Sequence, residues 1–323
     1  MTNSESILSN GDPCVSVLVP AHNAEGTLLE TLNSVLAQDY RPIELVLVDD
    51  GSSDGTRDLA RQWMIKHDCA AFRCNFLGQP RQGLPACRNL LVRASHGELI
   101  QMLDADDVLH PSKLSMCTSA FVQHAVDVVV PRTIRFRSSD EIRSLLDVPP
   151  RIKPLGRGDR SALIGVASWF TVGPVFSRRI VSAAGPFPED LHPVAEEMEF
   201  HARVKCLTRK VLYRPEILSF YRVGQRGALT SDLAEVCQSR IQGANRVLAL
   251  LRTHKVRDPR EYRAMLFYTA RTFKSAASSQ KCGSLVLPAH QALLTAARAW
   301  SLPAYLAIRL VPIGALKALS RCV

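Results

Sequence analysis

A chain of 323 residues with 46% hydrophobic content can bury a large core, which excludes a disordered chain and suggests one sizeable domain plus an appendage. Its formal net charge of +10 is unevenly placed: 26 Lys/Arg oppose 27 Asp/Glu as far as Leu233 (−1), and 14 oppose 3 from Ala234 onward (+11). A near-neutral body therefore precedes a basic tail, and a tail of that sign suits an anionic partner such as phospholipid or nucleic acid without saying anything about chemistry.

Residues 1–14 have neither a basic n-region nor an apolar h-region, so they read as a flexible leader rather than a secretory signal, and a cytoplasmic chain is expected. From Val15 onward, short β-rich runs alternate with helical periodicity, the arrangement of a parallel sheet covered by helices. Val15–Val19 is a mostly apolar strand. Ala24–Gln38 places Leu28, Leu29, Leu32, Val35 and Leu36 on one helical face. Ile43–Val48 is a second buried strand, followed by a helix over Thr56–His67, a strand over Ala71–Leu77, a helix over Leu84–Ala94 and a strand over Glu98–Leu103. Between Pro131 and Gly165 the pattern weakens into basic, Pro-containing sequence that predicts a lid or irregular connection. A helix is expected after Pro193, with Glu196, Glu197 and Glu199 in its first turns, where the macrodipole favours acids.

The tail from Ala234 is helical in character. Arg260, Arg263, Arg271 and Lys274 share a sector opposite Tyr262, Met265, Leu266, Phe273 and Ala276, with Phe267 breaking the pattern. Arg298, Arg309 and Lys317 interrupt each later apolar run before it reaches the roughly 20 residues of a membrane span, so no transmembrane helix is expected. Nine cysteines at irregular spacing, without C-x-x-C, fit reduced thiols.

Ligands of open parallel sheets bind at the carboxyl ends of strands, so polar residues directly after the apolar runs are the first candidates. Three such places occur: Pro20-Ala21-His22-Asn23-Ala24-Glu25, Asp49-Asp50-Gly51-Ser52-Ser53-Asp54, and Asp104-Ala105-Asp106-Asp107. Taken singly, Asn23 and Asp54 could be helix N-caps and the other acids solvated turn residues. Acids at three successive strand ends point instead to one acidic edge, whose repulsion a divalent cation with oxygen ligands would offset most simply. Asp104 and Asp106 alternate, so in an extended segment they share a side.

The ordered set V-S-V-L-V-P-A-H-N-A-E, V-L-V-D-D-G-S-S-D-G-T, G-L-P-A-C-R-N, L-D-A-D-D, R-R with a following G-P-F, E-E-M-E-F-H-A-R and L-S-F-Y-R resembles the family 2 glycosyltransferases over roughly Val15–Ser231. The resemblance implies an α/β fold of GT-A type, a mostly parallel, Rossmann-like sheet flanked by helices, here with a C-terminal helical extension. The implied domains are a catalytic domain over residues 15–233 and a basic helical region over 234–323. It implies an inverting transfer of one sugar from a nucleoside-diphosphate sugar, with UDP the expected nucleotide, onto an acceptor hydroxyl of a bacterial surface or lipid-linked glycan. Pro20, Ala21, Asn23 and Glu25 match the motif lining the nucleotide pocket, and Asp49 and Asp50 the acids near base and ribose. Arg88 and Asn89 match the family Arg-Asn, the Arg being suited to diphosphate by its fork of donors. Asp104, Ala105 and Asp106 match the D-x-D, which implies nucleotide contact and, at Asp106, a Mn²⁺ or Mg²⁺ ion.

Glu196-Glu197 matches a family Glu-Asp whose second acid is the usual general base, so Glu197 is the expected base and Glu196 a supporting residue. For Glu199 the expectation is an i,i+4 ion pair with Arg203. Tyr221-Arg222 matches a family Tyr-Arg often followed two residues later by a His near the metal; Gly224 stands there, so Arg222 is expected to support the site without a protein metal ligand from this loop. Nucleotidyl transfer would want a long Gly-rich, Lys/Arg-containing loop after Val19, which is absent. A non-catalytic relic that binds nucleic acid or membrane through its tail would show degraded acidic motifs, and nucleic acid is not an expected partner. The basic tail suggests peripheral attachment to the cytoplasmic face of an anionic inner membrane.

Overall fold

The computed structural model describes residues 11–146, 149–152, 169–191, 193–224, 232–256 and 286–300, together with Tyr262, Met265, Thr269, Ala270, Thr272, Ser275 and Ser284. Two compact units divide the chain: Met1–Leu155, Trp169–Phe187 and Thr208–Gln225 form the first, and Gly156–Ser168, Pro188–Leu207 and Arg226–Val323 the second.

The first unit begins with β1 (Val15–Ala21), α1 (Leu28–Leu36), β2 (Ile43–Asp50), α2 (Thr56–His67), β3 (Phe72–Gln79), α3 (Leu84–Ala94) and β4 (Leu99–Met102). It continues with β5 (Val108–Leu109), α4 (Lys113–Gln123), β6 (Val128–Phe136), α5 (Ser139–Leu146), β7 (Val175–Ser177), α6 (Arg178–Ala184) and, after an excursion into the second unit, β8 (Val211–Arg222). The sheet order is β3-β2-β1-β4-β7-β6-β8-β5. The first four strands are parallel, as the β-α-β series predicts, and the other half is mixed: β7 runs antiparallel to β4 and β6, while β8 is parallel to β6 and antiparallel to β5. β1 is buried along its whole length, as a strand covered on both faces must be, which is why it is an unbroken apolar run. Leu28, Leu32 and Val35 of α1 and Ala60, Trp63 and Met64 of α2 join it in one core.

Register places the site. Ala21 is level with Asp49, and Asp50 with Gln79, so the polar ends of three neighbouring strands emerge together.

Two sequence expectations need correction. The first helix starts at Leu28, not Ala24: Thr27, at φ −127°, departs from helical backbone, and the N–H groups of Ala24 and Glu25 donate to the side chains of Thr56 (2.7 Å) and Asp54 (3.2 Å), tying this stretch to the next loop. The weak region from Pro131 is not irregular throughout: β6 continues to Phe136 and α5 follows. Pro131 is tolerated because β6 pairs with β7 only at Val128 and Val129, and its pairing with β8 shifts register on either side of Arg132. Ile152 bridges Glu216, and the rest of the expected lid lies outside the described residues.

The second unit contains α7 (Pro193–Leu207), α8 (Leu233–Thr253) and α9 (Val286–Trp300). Asp232 caps α8, its Oδ1 accepting from the backbone N–H of Ala234 (2.7 Å) and Glu235 (3.2 Å). Met198 and Ala202 of α7 pack with Ala244, Val247, Leu248 and Leu251 of α8 and with Met265. Gly243 permits this closeness: a Cβ there would stand 2.5 Å from Met198 Cε and 3.1 Å from Ala195 Cβ. Met265 is buried, as its place on the apolar sector predicts, whereas Arg260, Arg263, Arg271 and Lys274 lie outside the described residues. Among the described residues no helix is long and apolar enough to cross a membrane, and the seven described cysteines are free thiols.

Candidate active site

The loop after β1 and the loop after β2 are laced together. Asn23, at a positive φ of 49°, accepts from the Ser53 backbone N–H at 2.9 Å, and its own N–H donates to Ser52 Oγ at 3.0 Å. Glu25 Oε2 accepts from the Gly55 N–H at 3.0 Å. Neither Asn23 nor Asp54 is a helix cap here: Thr27 and Gly55 hold those positions. Pro20 and Ala21 form the buried end of β1, level with Val48 and Asp49.

Asp49 and Asp50 are buried acids that organise these loops. Asp49 Oδ2 accepts from Arg57 Nε at 2.8 Å. Asp50 Oδ1 accepts from Gln79 Nε2 (2.7 Å) and the Gln82 N–H (2.8 Å), its Oδ2 accepts from the Gly83 N–H (2.9 Å), and Arg81 stands at 3.5 Å. Asp50 thereby fixes the turn that launches α3, the helix carrying Arg88 and Asn89.

Arg88 is 1% exposed, and its Nη2 donates to Asp104 Oδ1 at 2.9 Å and to Thr171 Oγ1 at 3.4 Å, with the guanidinium 5.7 Å from the Phe187 ring. Asn89 makes a two-way pair with the Phe187 backbone: Nδ2 donates to its carbonyl (3.0 Å) and Oδ1 accepts from its N–H (2.7 Å). Its evident work is to fix the residue whose ring Arg88 faces.

The Asp104–Asp107 turn is held from several sides. Thr27 Oγ1 donates to the Ala105 carbonyl at 3.0 Å, Asp107 Oδ1 accepts from the Arg222 N–H at 2.9 Å, and Arg222 Nε donates to the Asp106 carbonyl at 2.8 Å. Arg222 also pairs with Glu30 and lies 4.4 Å from the Phe136 ring. Gly224, at φ 88°, is exposed.

The acidic edge is therefore neutralised largely by arginines, a solution that acid spacing alone does not disclose. Arg57, Arg81 and Arg88 pair with Asp49, Asp50 and Asp104. Asp106 differs from these three: its carboxylate has no ion-pair partner among the described residues. Burial pushes its pKa up to about 6, the charge of Asp104 adds to the rise, and Arg222 opposes it. A carboxylate so placed would gain from a cation. Among the described residues no three His, Cys, Asp or Glu side chains converge as a metal cage, so any ion would draw remaining ligands from phosphate and water, a habit typical of Mg²⁺.

In the second unit, Glu196 is fully buried, and Glu197 Oε1 lies 3.9 Å from Nδ1 of the buried His201. Glu199 pairs with Arg203 at 2.8 Å, as the i,i+4 spacing predicts. Thr27, Glu30, Arg57, Thr171 and Phe187 were not singled out by the sequence as contacts of the site, and Asp107 was named only as part of the acidic run. Asp107 carries a signal, standing in the acidic motif itself; Thr171 and Phe187 meet Arg88 only through folding.

Residues 16–179 match the family described as Glycosyl transferase family 2, and the chain belongs to that family. It is 35% identical over 122 residues to an uncharacterized glycosyltransferase of Nostoc, a match covering 36% of this chain and 37% of that protein. It is 26% identical to the uncharacterized glycosyltransferase EpsJ of Bacillus subtilis over 71% of this chain and 69% of that protein. The fold is similar to that of S. aureus TarS 1-349 in complex with UDP (TM-score 0.67, 18% identity, covering 95% of this chain and 90% of that one). It is also similar to the mannosyltransferase PcManGT of Pyrobaculum calidifontis in complex with GDP-Man and Mn²⁺ (TM-score 0.55, 19% identity, covering 97% and 87%).

Proposed function

We propose that the protein is an inverting glycosyltransferase that moves one sugar from a nucleoside-diphosphate sugar, a UDP-sugar in the first instance, to an acceptor hydroxyl of a cell-surface or lipid-linked glycan. The observation that carries the reading is the meeting of Arg88 with Asp104 beside Asp106, whose carboxylate is without an ion-pair partner among the described residues, at the carboxyl edge of the parallel strands. That UDP occupies the fold of TarS, and GDP-Man with Mn²⁺ that of PcManGT, supports this choice of donor and cation.

In this reading Pro20, Ala21, Asn23, Glu25, Asp49 and Asp50 shape the nucleotide pocket, the two acids mainly by holding its loops. Arg88 faces the diphosphate with Asn89 behind it, Asp104 and Ala105 contact the nucleotide, and Asp106 holds the divalent cation. A Mn²⁺ or Mg²⁺ ion bound there would supply Lewis-acid stabilisation of the departing diphosphate. Arg88 adds a fixed positive charge to the same end. Glu197, with Glu196 beside it in sequence, would accept the proton of the acceptor hydroxyl; a carboxylate with a reference pKa of about 4.3 can do so only as the bond to carbon forms. The basic tail would attach the enzyme to an anionic membrane surface.

The test is a screen of nucleoside-diphosphate sugars for Mn²⁺-dependent slow donor hydrolysis, which needs no known acceptor, alongside the melting temperature with UDP and Mn²⁺. The expected result is hydrolysis of a UDP-sugar, a raised melting temperature and inverted product configuration. Glu197→Gln should abolish transfer and leave nucleotide binding intact. A retained anomeric configuration would overturn the inverting mechanism, and no response to any nucleotide would overturn the donor site.

A further inference from the structure

A buried lysine lies just below this site. Lys113, the first residue of α4, is 0% exposed. Burying an ammonium is expensive unless every N–H finds an acceptor. Here the Nζ group meets three oxygens: the carbonyl of Val172, the carbonyl of Gly173 at 2.9 Å and the hydroxyl of Ser219 at 2.7 Å.

The set suits either protonation state. An ammonium donates to all three oxygens. A neutral amine donates to the two carbonyls and accepts from the Ser219 hydroxyl, which can rotate to suit. Burial brings the pKa down to about 7, against the raising influence of Cys117 and Asp107, so the same contacts persist across that pH.

Both carbonyls belong to a single turn. The Gly173 N–H donates to the Phe170 carbonyl at 2.7 Å, closing Phe170-Thr171-Val172-Gly173, and Gln101 Nε2 reaches the Val172 carbonyl at 3.2 Å. A Cβ at Gly173 would lie 3.1 Å from both the Phe170 carbonyl and Thr133 Oγ1, so the turn is also closely walled. At its first central position stands Thr171, whose Oγ1 accepts from Arg88. The chain of contacts runs from Lys113 through the turn to Thr171, to Arg88 and to Asp104.

We infer that Lys113 is a positioning residue for Arg88, acting through the Phe170–Gly173 turn, which it holds from the core side so that Thr171 meets the guanidinium. The inference rests on the proposed donor site, because its consequence is the affinity of that site for a nucleoside diphosphate. Removing the amine takes its donor from the Gly173 carbonyl and leaves the Val172 carbonyl with Gln101 alone, the turn shifts, and Arg88 loses a lateral anchor.

The experiment is a double-mutant cycle on UDP binding in the presence of Mn²⁺, by titration calorimetry on the full chain, with Lys113→Met, Thr171→Val and both together. Each single variant is expected to weaken UDP about tenfold, and the pair no more than about twofold beyond either, since contacts in one chain do not add. A Lys113→Met protein that melts lower yet binds UDP as the parent does would overturn the inference. So would independent effects that multiply to about a hundredfold in the pair. If Lys113→Met does not fold, Lys113→Gln, which keeps an amide donor in the core, carries the same cycle with the same criteria. A parent protein that binds no nucleoside diphosphate would overturn the donor site and this inference with it, a result distinct from a parent that binds and variants that do not differ.

Discussion

Arg222, the last residue of β8, holds the main chain of Asp106: its Nε donates to the Asp106 carbonyl at 2.8 Å while its guanidinium pairs with Glu30 and covers Phe136. The positive charge thus stands close enough to temper the Asp106 carboxyl without forming an ion pair with it.

Arg222→Ala should lower the unfolding free energy by about 2 kcal/mol, less than a fully buried pair would lose because Glu30 retains some exposure. Adding Glu30→Gln should restore part of the loss, because an unpartnered carboxylate is a large share of it. Urea denaturation of the single and double variants measures both; equal stability of Arg222→Ala and parent would contradict the clamp.

Asp106 should trade stability for chemistry. Its pKa in the folded chain lies above the ordinary carboxylate value, so the folded state binds more protons between about pH 4 and 6 and loses stability as pH rises through that window. Asp106→Asn removes the penalty. Without metal, the variant is expected to melt higher than the parent at pH 7.5, with the gap closing toward pH 4, while Mn²⁺-dependent donor hydrolysis falls by orders of magnitude. Melting curves at the two pH values, and hydrolysis with and without Mn²⁺, decide it; undiminished metal-dependent turnover would remove Asp106 from the mechanism.

Asn89→Ala separates support from binding. Loss of its amide leaves the Phe187 N–H and carbonyl without these partners, costing about 2–6 kcal/mol at 1–3 per buried group. UDP affinity measured on the folded protein should fall by less than that of Arg88→Ala. The reverse ranking would make Asn89 a direct nucleotide contact.

The basic tail should bind anionic vesicles, with each engaged residue contributing roughly 1 kcal/mol. Replacing Arg260, Arg263, Arg271 and Lys274 by Gln should reduce co-sedimentation at about 0.1 M salt, and raising salt to about 1 M should do the same to the parent, as the Debye length falls from about 10 to 3 Å. Equal binding to neutral vesicles would rule out electrostatic attachment.

Much of the parallel half of the sheet was legible because burial on both faces writes unbroken apolar runs into β1 and β2, and two helices, Thr56–His67 and Leu84–Ala94, have the predicted bounds. The mixed half was not: β6 contains a proline and basic residues, and its strand character comes from pairing with β8, whose first residue lies 75 positions beyond Phe136. In the site, Arg88 and Asp104 could be named from motifs, but not their pairing. Nor does sequence spacing show that Asp49 and Asp50 face inward to hold loops, since an Asp before Gly reads equally as a solvated turn.

The contact at Gly243 changes what the tail can be. Because α8 seats its glycine against Ala195 and Met198, on either side of Glu196 and Glu197, it forms part of the bed on which those acids rest. Cutting the chain before α8 would strip Met198 and Ala202 of their cover, so the tail is no detachable tether. If the tail attaches to a surface and Glu197 is the base, as proposed, a pull on α8 would be felt by the helix bearing Glu197, and attachment and turnover would be mechanically coupled.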